Sequence, residues 1–324
     1  MSNPQNKTLP MVNVPEKRFS SFLNVPVDTN LERLQADVAI VGIPYGIPYG
    51  MGQMRSASAP GYIREKSLRF LRSMKACHNF DSKKLPLNLS EIRIVDCGDV
   101  PMDPMDIQRG VQRASEVIHK ILERKAIPIV FGGDDAIPIP VIRAYKNKKP
   151  IVVIQIDEHL DFADEINGVR EGYSNPMRRV SEMDWVKQII QVGLHGYGPA
   201  EHFEAATKAG NTLITEEEVH KQGIENILDK IPGNEDYFIT VDFDGLDPSI
   251  CPAVSHPEPG GLTFSETRDF LGGLAKKGRI VGMDFVELVP DHDLNGLSGH
   301  TTGRLIIDLL HAMIESEHFA KGSM

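Results

Sequence analysis

The chain alternates between short apolar runs rich in β-branched residues and longer stretches in which apolar positions recur every three or four residues. The short runs lie at 36–43, 92–96, 127–131, 151–156, 189–194, 212–214, 237–241 and 280–285. Runs of this length without polar alternation predict strands buried on both faces. The longer stretches, at 104–124, 139–147, 199–209, 216–230, 264–276 and 301–315, predict amphipathic helices. A further helix is predicted after Ser58, an N-cap residue with Pro60 in the first turn and Ile63, Leu68 and Leu71 at helical spacing. Strand and helix alternate without a linker-like break, so 36–324 reads as a single α/β domain around a mostly parallel sheet of about eight strands. Periodicity leaves a doubly wound sheet and a closed barrel both open, and either places chemistry at the carboxyl ends of its strands. Residues 1–35, rich in Asn, Pro and Lys, read as an N-terminal arm that is ordered only where it docks.

Several predicted strands end in acid. The run 151–156 stops at Asp157, Glu158, His159 and Asp161; in an extended chain Asp157, His159 and Asp161 share a face and Glu158 points away. Asp134 and Asp135 follow the run 127–131, and Asp242, Asp244 and Asp247 follow 237–241. In a parallel sheet these ends lie along one edge and can converge. Carboxylates gathered in one pocket repel one another and raise each other's pKa unless a cation sits among them, so the pattern points to divalent metal. One histidine among aspartates suits Mn²⁺, with Ni²⁺ also admissible, rather than a thiolate-seeking zinc.

Composition narrows the partners. A formal net charge of -10 argues against a nucleic-acid surface and suits a small cationic substrate. Three cysteines without a C-x-x-C spacing indicate neither a disulfide framework nor a cysteine zinc site, so a reducing, cytoplasmic setting is expected. The N-terminus lacks the layout of a signal peptide, and no stretch approaches the roughly 20 apolar residues of a membrane span. The expected product is a soluble, unprocessed protein.

The combination of GGDD at 132–135, DEHLD at 157–161, TVDFDGLDP at 240–248 and the VEL within 284–290 resembles the ureohydrolase family of arginases, agmatinases and related amidinohydrolases. GIPY with Arg55, DCGDV at 96–100 and PEPGGLT at 257–263 extend the likeness over about 36–315. The resemblance implies a three-layer α/β/α sandwich around an eight-stranded parallel sheet and two divalent metal ions. Carried over by position, Asp157 and Asp242 bridge the two metals, Asp135 and Asp161 complete one shell, and His159 and Asp244 complete the other. Asp134 is assigned a supporting place and Asp247 an Asp-Pro turn. The implied reaction is attack of a metal-bridging hydroxide on a guanidinium carbon, with Glu287 pairing the guanidinium nitrogens, to release urea and an amine. The resemblance also implies a trimer or hexamer.

The sequence departs from the family pattern at the site itself. Asp135 stands where GGDH is commoner, so five aspartates and one histidine face two divalent ions and leave a formal charge one short of neutral. Glu158 replaces a small residue. Tyr173, in GYSNPM, stands in place of a loop histidine proposed as a proton shuttle, a role tyrosine performs poorly at neutral pH. His195 and His256 are candidate replacement donors, with His256 carried forward beside Glu287 and Tyr173 as a catalytic candidate; His292 and His300 are weaker ones. Two function classes follow. The first is an active hydrolase of agmatine, a guanidino acid, guanidine, or an alkylated guanidine or biguanide such as metformin. The second is a non-catalytic subunit that supports an active paralogue in a hetero-oligomer. Deacetylase relatives of this fold fit the DFDGLDP and VEL motifs less well.

Overall fold

In the computed structural model the described residues are 20–46, 55–74, 77–81, 84–103 and 105–319. The first 19 residues of the expected arm and residues 47–54 of the Gly/Pro loop lie outside them. Among the described residues the sheet is built from β1 (Val38–Gly42), β4 (Ile94–Asp99), β5 (Ile127–Phe131), β6 (Ile151–Ile156), β7 (Val186–Leu194), β8 (Thr212–Thr215), β9 (Asp236–Asp242) and β10 (Arg279–Val286), while β2 (Cys77–Asn79) and β3 (Lys84–Leu87) pair apart as an antiparallel hairpin. Every pairing in the large sheet is parallel, in the order β4-β1-β5-β10-β9-β6-β7-β8. The sheet is therefore open, with β4 and β8 as its edges, which settles the choice between wound sheet and barrel.

Because every crossover returns over a face, both faces are covered and the core divides in two. Helices α1 (Ala59–Ser67), α6 (Glu216–Gln222), α7 (Ile224–Asp229), α8 (Phe264–Lys277) and α9 (Leu297–Glu315) bury Ile63, Val219, Ile227, Phe270 and Leu309 on one side. Helices α2 (Ile107–Glu123), α3 (Pro138–Arg143), α4 (Pro176–Ser181) and α5 (Ala200–Lys208) bury Val117, Val141, Met177 and Ala206 on the other. This is the three-layer α/β/α sandwich that the resemblance implies. No helix among the described residues is long and apolar enough to cross a membrane.

The differences from the expected elements have local causes. The stretch 216–230 is two helices, because Gly223 takes a φ of +78° and breaks the run. Ser58 stands at the N-cap position of α1, but its side chain caps nothing, and a 3-10 turn takes over at Leu68, leaving Leu71 exposed. The hairpin β2–β3 and the short α4 lie where the apolar periodicity predicts no element. Residues 20–35 dock on the chain's own sheet: Phe22 and Leu23 are buried, and the Phe22 N–H donates to Asp96 Oδ2 at 2.9 Å. The same carboxylate is gripped by the fully buried Arg64, whose Nε lies 2.8 Å away.

The strand order has one consequence for function. The four strands whose ends carry the acidic motifs, β5, β10, β9 and β6, are neighbours in the middle of the sheet although they are scattered along the chain. Adjacent strands lie about 4.8 Å apart, so side chains at their carboxyl ends meet without any long reach.

Candidate metal centre

Each acidic motif is shaped by a local turn. Asp157 Oδ1 accepts the backbone N–H of His159 at 2.5 Å, Asp242 Oδ1 accepts that of Asp244 at 3.0 Å, and Asp134 Oδ1 accepts that of Ala136 at 3.1 Å. An aspartate that bonds the N–H two residues on bends the chain back, so residues i and i+2 address one point even though the strand has ended. Glycines let the turns nest. A side chain at Gly245 would sit 2.6 Å from the Asp157 Cα, and one at Gly133 would strike the Tyr45 carbonyl oxygen.

The turns bring two ligand groups together around a shared residue. Donor atoms of Asp135, Asp157 and Asp242 all lie within 4.8 Å of one another, and so do those of Asp157, His159 and Asp244. Asp161 joins the first group from a backbone with φ +44°, close enough to Asp135 and Asp157 to add to their charge repulsion. Glu287, at the end of β10 with φ +66°, is locked to the GGDD turn: its N–H donates to the Gly133 carbonyl at 2.8 Å, and its Oε1 accepts the Asp135 N–H at 2.9 Å.

The electrostatics identify what such a pocket requires. Burial, then the neighbouring acids, hold Asp135, Asp157 and Asp242 well above the usual carboxylate range, and burial with the Asp134 charge does the same to Glu287. No hydrogen-bond donor among the described residues reaches either oxygen of Asp135, although both are buried. Buried acceptors without donors are costly. Two divalent cations would satisfy these oxygens and neutralise the group, so the donor set fits the metal pair that the resemblance implies. On the other side His159 Nδ1 lies 3.3 Å from Asp244 Oδ2 and 3.6 Å from Asp157 Oδ1. Burial alone would lower the imidazole, but these carboxylates prevail and push it up to about 12. Asp244 is correspondingly lowered: burial opposes this, and the bond to His159 outweighs it.

Other residues singled out in the sequence fall in different places. Tyr173 is partly exposed at the rim, and its phenol is raised by burial and then by the charges of Glu287 and Asp134, which places it beside them. His256 is exposed on the loop after β9, and no hydrogen bond or ion pair joins it to the cluster among the described residues. His195 turns its Nδ1 to the Gly193 carbonyl at 2.8 Å, His292 bonds the Val254 carbonyl at 2.8 Å, and His300 packs against Phe70. Asp247 bonds the Ser249 N–H at 2.7 Å, the turn expected of it. Glu158 does not point across the sheet as strict alternation requires. The strand has already ended at Ile156, and the Glu158 Oε1 comes to 3.6 Å from His159 Nε2.

One contact of the cluster went unnoticed in the sequence. Gln155 Nε2 donates to Asp157 Oδ2 at 2.5 Å and to Asp161 Oδ2 at 3.1 Å. The available signal was a lone polar residue within the apolar run IVVIQI.

A sequence profile of the arginase family matches residues 36–314. The chain belongs to the arginase family. As a member it is an amidinohydrolase, a hydrolase of C–N bonds in linear amidines. Its relatives include the guanidinopropionase of Pseudomonas aeruginosa, 28% identical over 98% of this chain and 98% of the relative. The mitochondrial guanidino acid hydrolase of Homo sapiens is 27% identical over 90% of this chain and 82% of its own length. Among solved structures, the proclavaminate amidino hydrolase of Streptomyces clavuligerus superposes with a TM-score of 0.78 at 23% identity, covering 92% of this chain and 98% of its own.

Proposed function

We propose that this amidinohydrolase cleaves a C–N bond of a cationic guanidino compound, releasing urea or a substituted urea and an amine, at a centre of two divalent ions, Mn²⁺ or Ni²⁺. The observation that carries this reading is that Asp157 belongs to both three-ligand groups while Glu287 is fixed on the adjacent strand beside them. In the proposed assignment Asp157 and Asp242 would be shared by the two ions, Asp135 and Asp161 would hold one of them, and His159 and Asp244 would hold the other. Divalent ions held there supply Lewis acidity and activate water at neutral pH.

The protein's part is to bind and orient. A carboxylate accepts a planar guanidinium in two parallel bonds, and Glu287 offers one whose position is set by the Asp135 N–H. Tyr173, beside Glu287 and Asp134, lines the approach and offers a phenolic hydrogen bond to the substrate. The surplus of acid favours a substrate that brings positive charge and no carboxylate. Arg170 of this loop is bonded to Asp164 at 3.0 Å, and Arg143 of α3 to Glu171 at 2.8 Å, so both cations are engaged within the chain. Agmatine-like compounds, guanidine and alkylated guanidines or biguanides therefore suit the site better than guanidino acids. His256 stands exposed and, among the described residues, makes no hydrogen bond or ion pair with the cluster, so it takes no part in this assignment. The family likeness further suggests a homotrimer or homohexamer, and the sparse cysteines suit a reducing, cytoplasmic setting.

Expression of the full chain with Mn²⁺ or Ni²⁺, elemental analysis, and a urea-release assay over a panel of guanidino compounds test the reading together. About two metal ions per chain with urea from a cationic substrate is the expected result. A metal-free, inactive chain that restores activity to a co-expressed homologue would instead make it a supporting subunit.

A further inference from the structure

Beneath the carboxylates runs a row of polar side chains that no strand of a parallel core needs for folding. Asp284 of β10 pairs in register with Thr240 of β9, Thr240 with Gln155 of β6, and Gln155 with Gln191 of β7. All four are fully buried. Partners in register on a parallel sheet project to the same face, and two residues beyond Gln155 and Thr240 stand Asp157, just past the end of β6, and Asp242, the last residue of β9.

Within this row the amides form a directed chain. Asn211 Nδ2 donates to Gln191 Oε1 at 2.9 Å. Gln191 Nε2 donates to Gln155 Oε1 at 2.6 Å and to the Leu160 carbonyl at 2.9 Å. Gln155 Nε2 donates to Asp157 Oδ2 and Asp161 Oδ2. The direction is determined by chemistry. The Leu160 carbonyl can only accept, so the Gln191 amino group must face it. That leaves the Gln155 oxygen facing Gln191 and its amino group facing the carboxylates. Both protons of each glutamine amino group are used, and amide dipoles aligned head to tail strengthen one another in a low-dielectric interior.

We propose that Gln155 is a positioning residue for the metal ligands, oriented by Gln191 and Asn211 so that one amino group holds Asp157 and Asp161 in a fixed relation. The inference rests on the proposed metal centre. Asp157 leaves the strand at its end, whereas Asp161 sits four residues on in a left-handed backbone that non-glycine residues seldom adopt. A single donor spanning both carboxylates sets the separation between a ligand shared by both groups and a ligand of one. Gln191 adds to this by holding the Leu160 carbonyl, the residue before Asp161.

The test measures Mn²⁺ affinity by equilibrium dialysis on metal-stripped full-length protein, with folding checked by circular dichroism. Gln155→Met keeps the side-chain length and removes the donor, and should weaken Mn²⁺ binding about 10–100-fold, as loss of a partner behind a metal ligand does. Gln191→Met should act in the same direction but less, since it touches no carboxylate. Asn211→Ala, at the half-buried end of the chain, should have the smallest effect. That graded order is a signature that packing alone would not produce. If Gln155→Met does not fold, Gln191→Met and Asn211→Ala carry the test. Folded variants that bind Mn²⁺ like the wild type, even with lowered melting temperature, overturn the inference and leave the metal centre standing. The dialysis is repeated with Ni²⁺, and a wild-type chain that binds neither Mn²⁺ nor Ni²⁺ overturns the metal centre and this inference with it.

Discussion

On the His159 side of the cluster charge is balanced within the protein; on the Asp135 side it is not. His159 lies between Asp157 and Asp244, and the pairing raises the base and lowers Asp244. Asp135, Asp157 and Asp242 face one another with Asp161 close by, and each carboxyl of the trio is pushed up by burial and by its neighbours. The two sides share Asp157 and the same sheet edge, so the contrast comes from one residue type, a histidine on one side against an aspartate at 135 on the other. The His159 side can stand without a cation. The Asp135 side requires either protons or metal, and at neutral pH metal is the better neutraliser because one divalent ion satisfies several oxygens together.

The largest effect should come from the residue the two sides share. Asp157→Asn removes charge from both groups, and elemental analysis should find metal near zero with urea release at background; a variant that still holds two ions would break the description of Asp157 as common to both. Next come single-sided changes, which should separate the halves. Asp135→Asn should leave about half the wild-type metal content. It should also raise the stability of the metal-free protein, by about 1–3 kcal/mol, because an unsatisfied buried carboxylate is gone. His159→Ala should lose metal too but lower metal-free stability, by about 1–2 kcal/mol once its partial exposure is allowed for, since it strands Asp244. Denaturant melts of both metal-free variants decide the matter, and shifts of the same sign would erase the proposed asymmetry. Tyr173→Phe, at the rim, should slow urea release about 2–10-fold, the worth of one hydrogen bond, with metal content unchanged.

How much of this was legible in the sequence depends on whether a feature is local. The acidic strand ends, the alternation of strands with helices and the ligand motifs lie within short windows; the strands and helices appear in the structure in the expected alternation, while the acidic ends form turns in place of the extended chain read for 157–161. The adjacency of β5, β10, β9 and β6 does not, because strand order is decided by non-local packing across the two helix layers. Glu158 shows a local rule carried past its range: alternation holds only to Ile156, after which the Asp157 turn redirects the chain. Gln155 shows the opposite case. Its polarity within an apolar run is visible, but its partner Gln191 is 36 residues away and is set by register alone.

A last variant, expected to leave turnover nearly unchanged, sharpens the contrast by isolating burial from metal. Asp284 lies fully buried two strands from Gln155 in the same row and outside both ligand groups. Burial, only partly opposed by the Thr240 hydroxyl, pushes its carboxyl up to about 7. Between the ordinary value near 4 and this raised one, the folded protein keeps a proton that the unfolded chain has released. Stability must therefore fall as pH rises across that window and level off above about 7. The loss is of the order of 4 kcal/mol at about 1.4 kcal/mol per pH unit. Asp284→Asn cannot ionise, so its melting temperature relative to wild type should rise from pH 4.5 to pH 8, with or without metal. The corresponding gain for Asp135→Asn should vanish once metal is bound, since metal relieves Asp135 and has no contact with Asp284. If both gains disappear on metal loading, Asp284 belongs to the cluster's charge balance and the asymmetry extends deeper into the sheet than the ligand groups themselves.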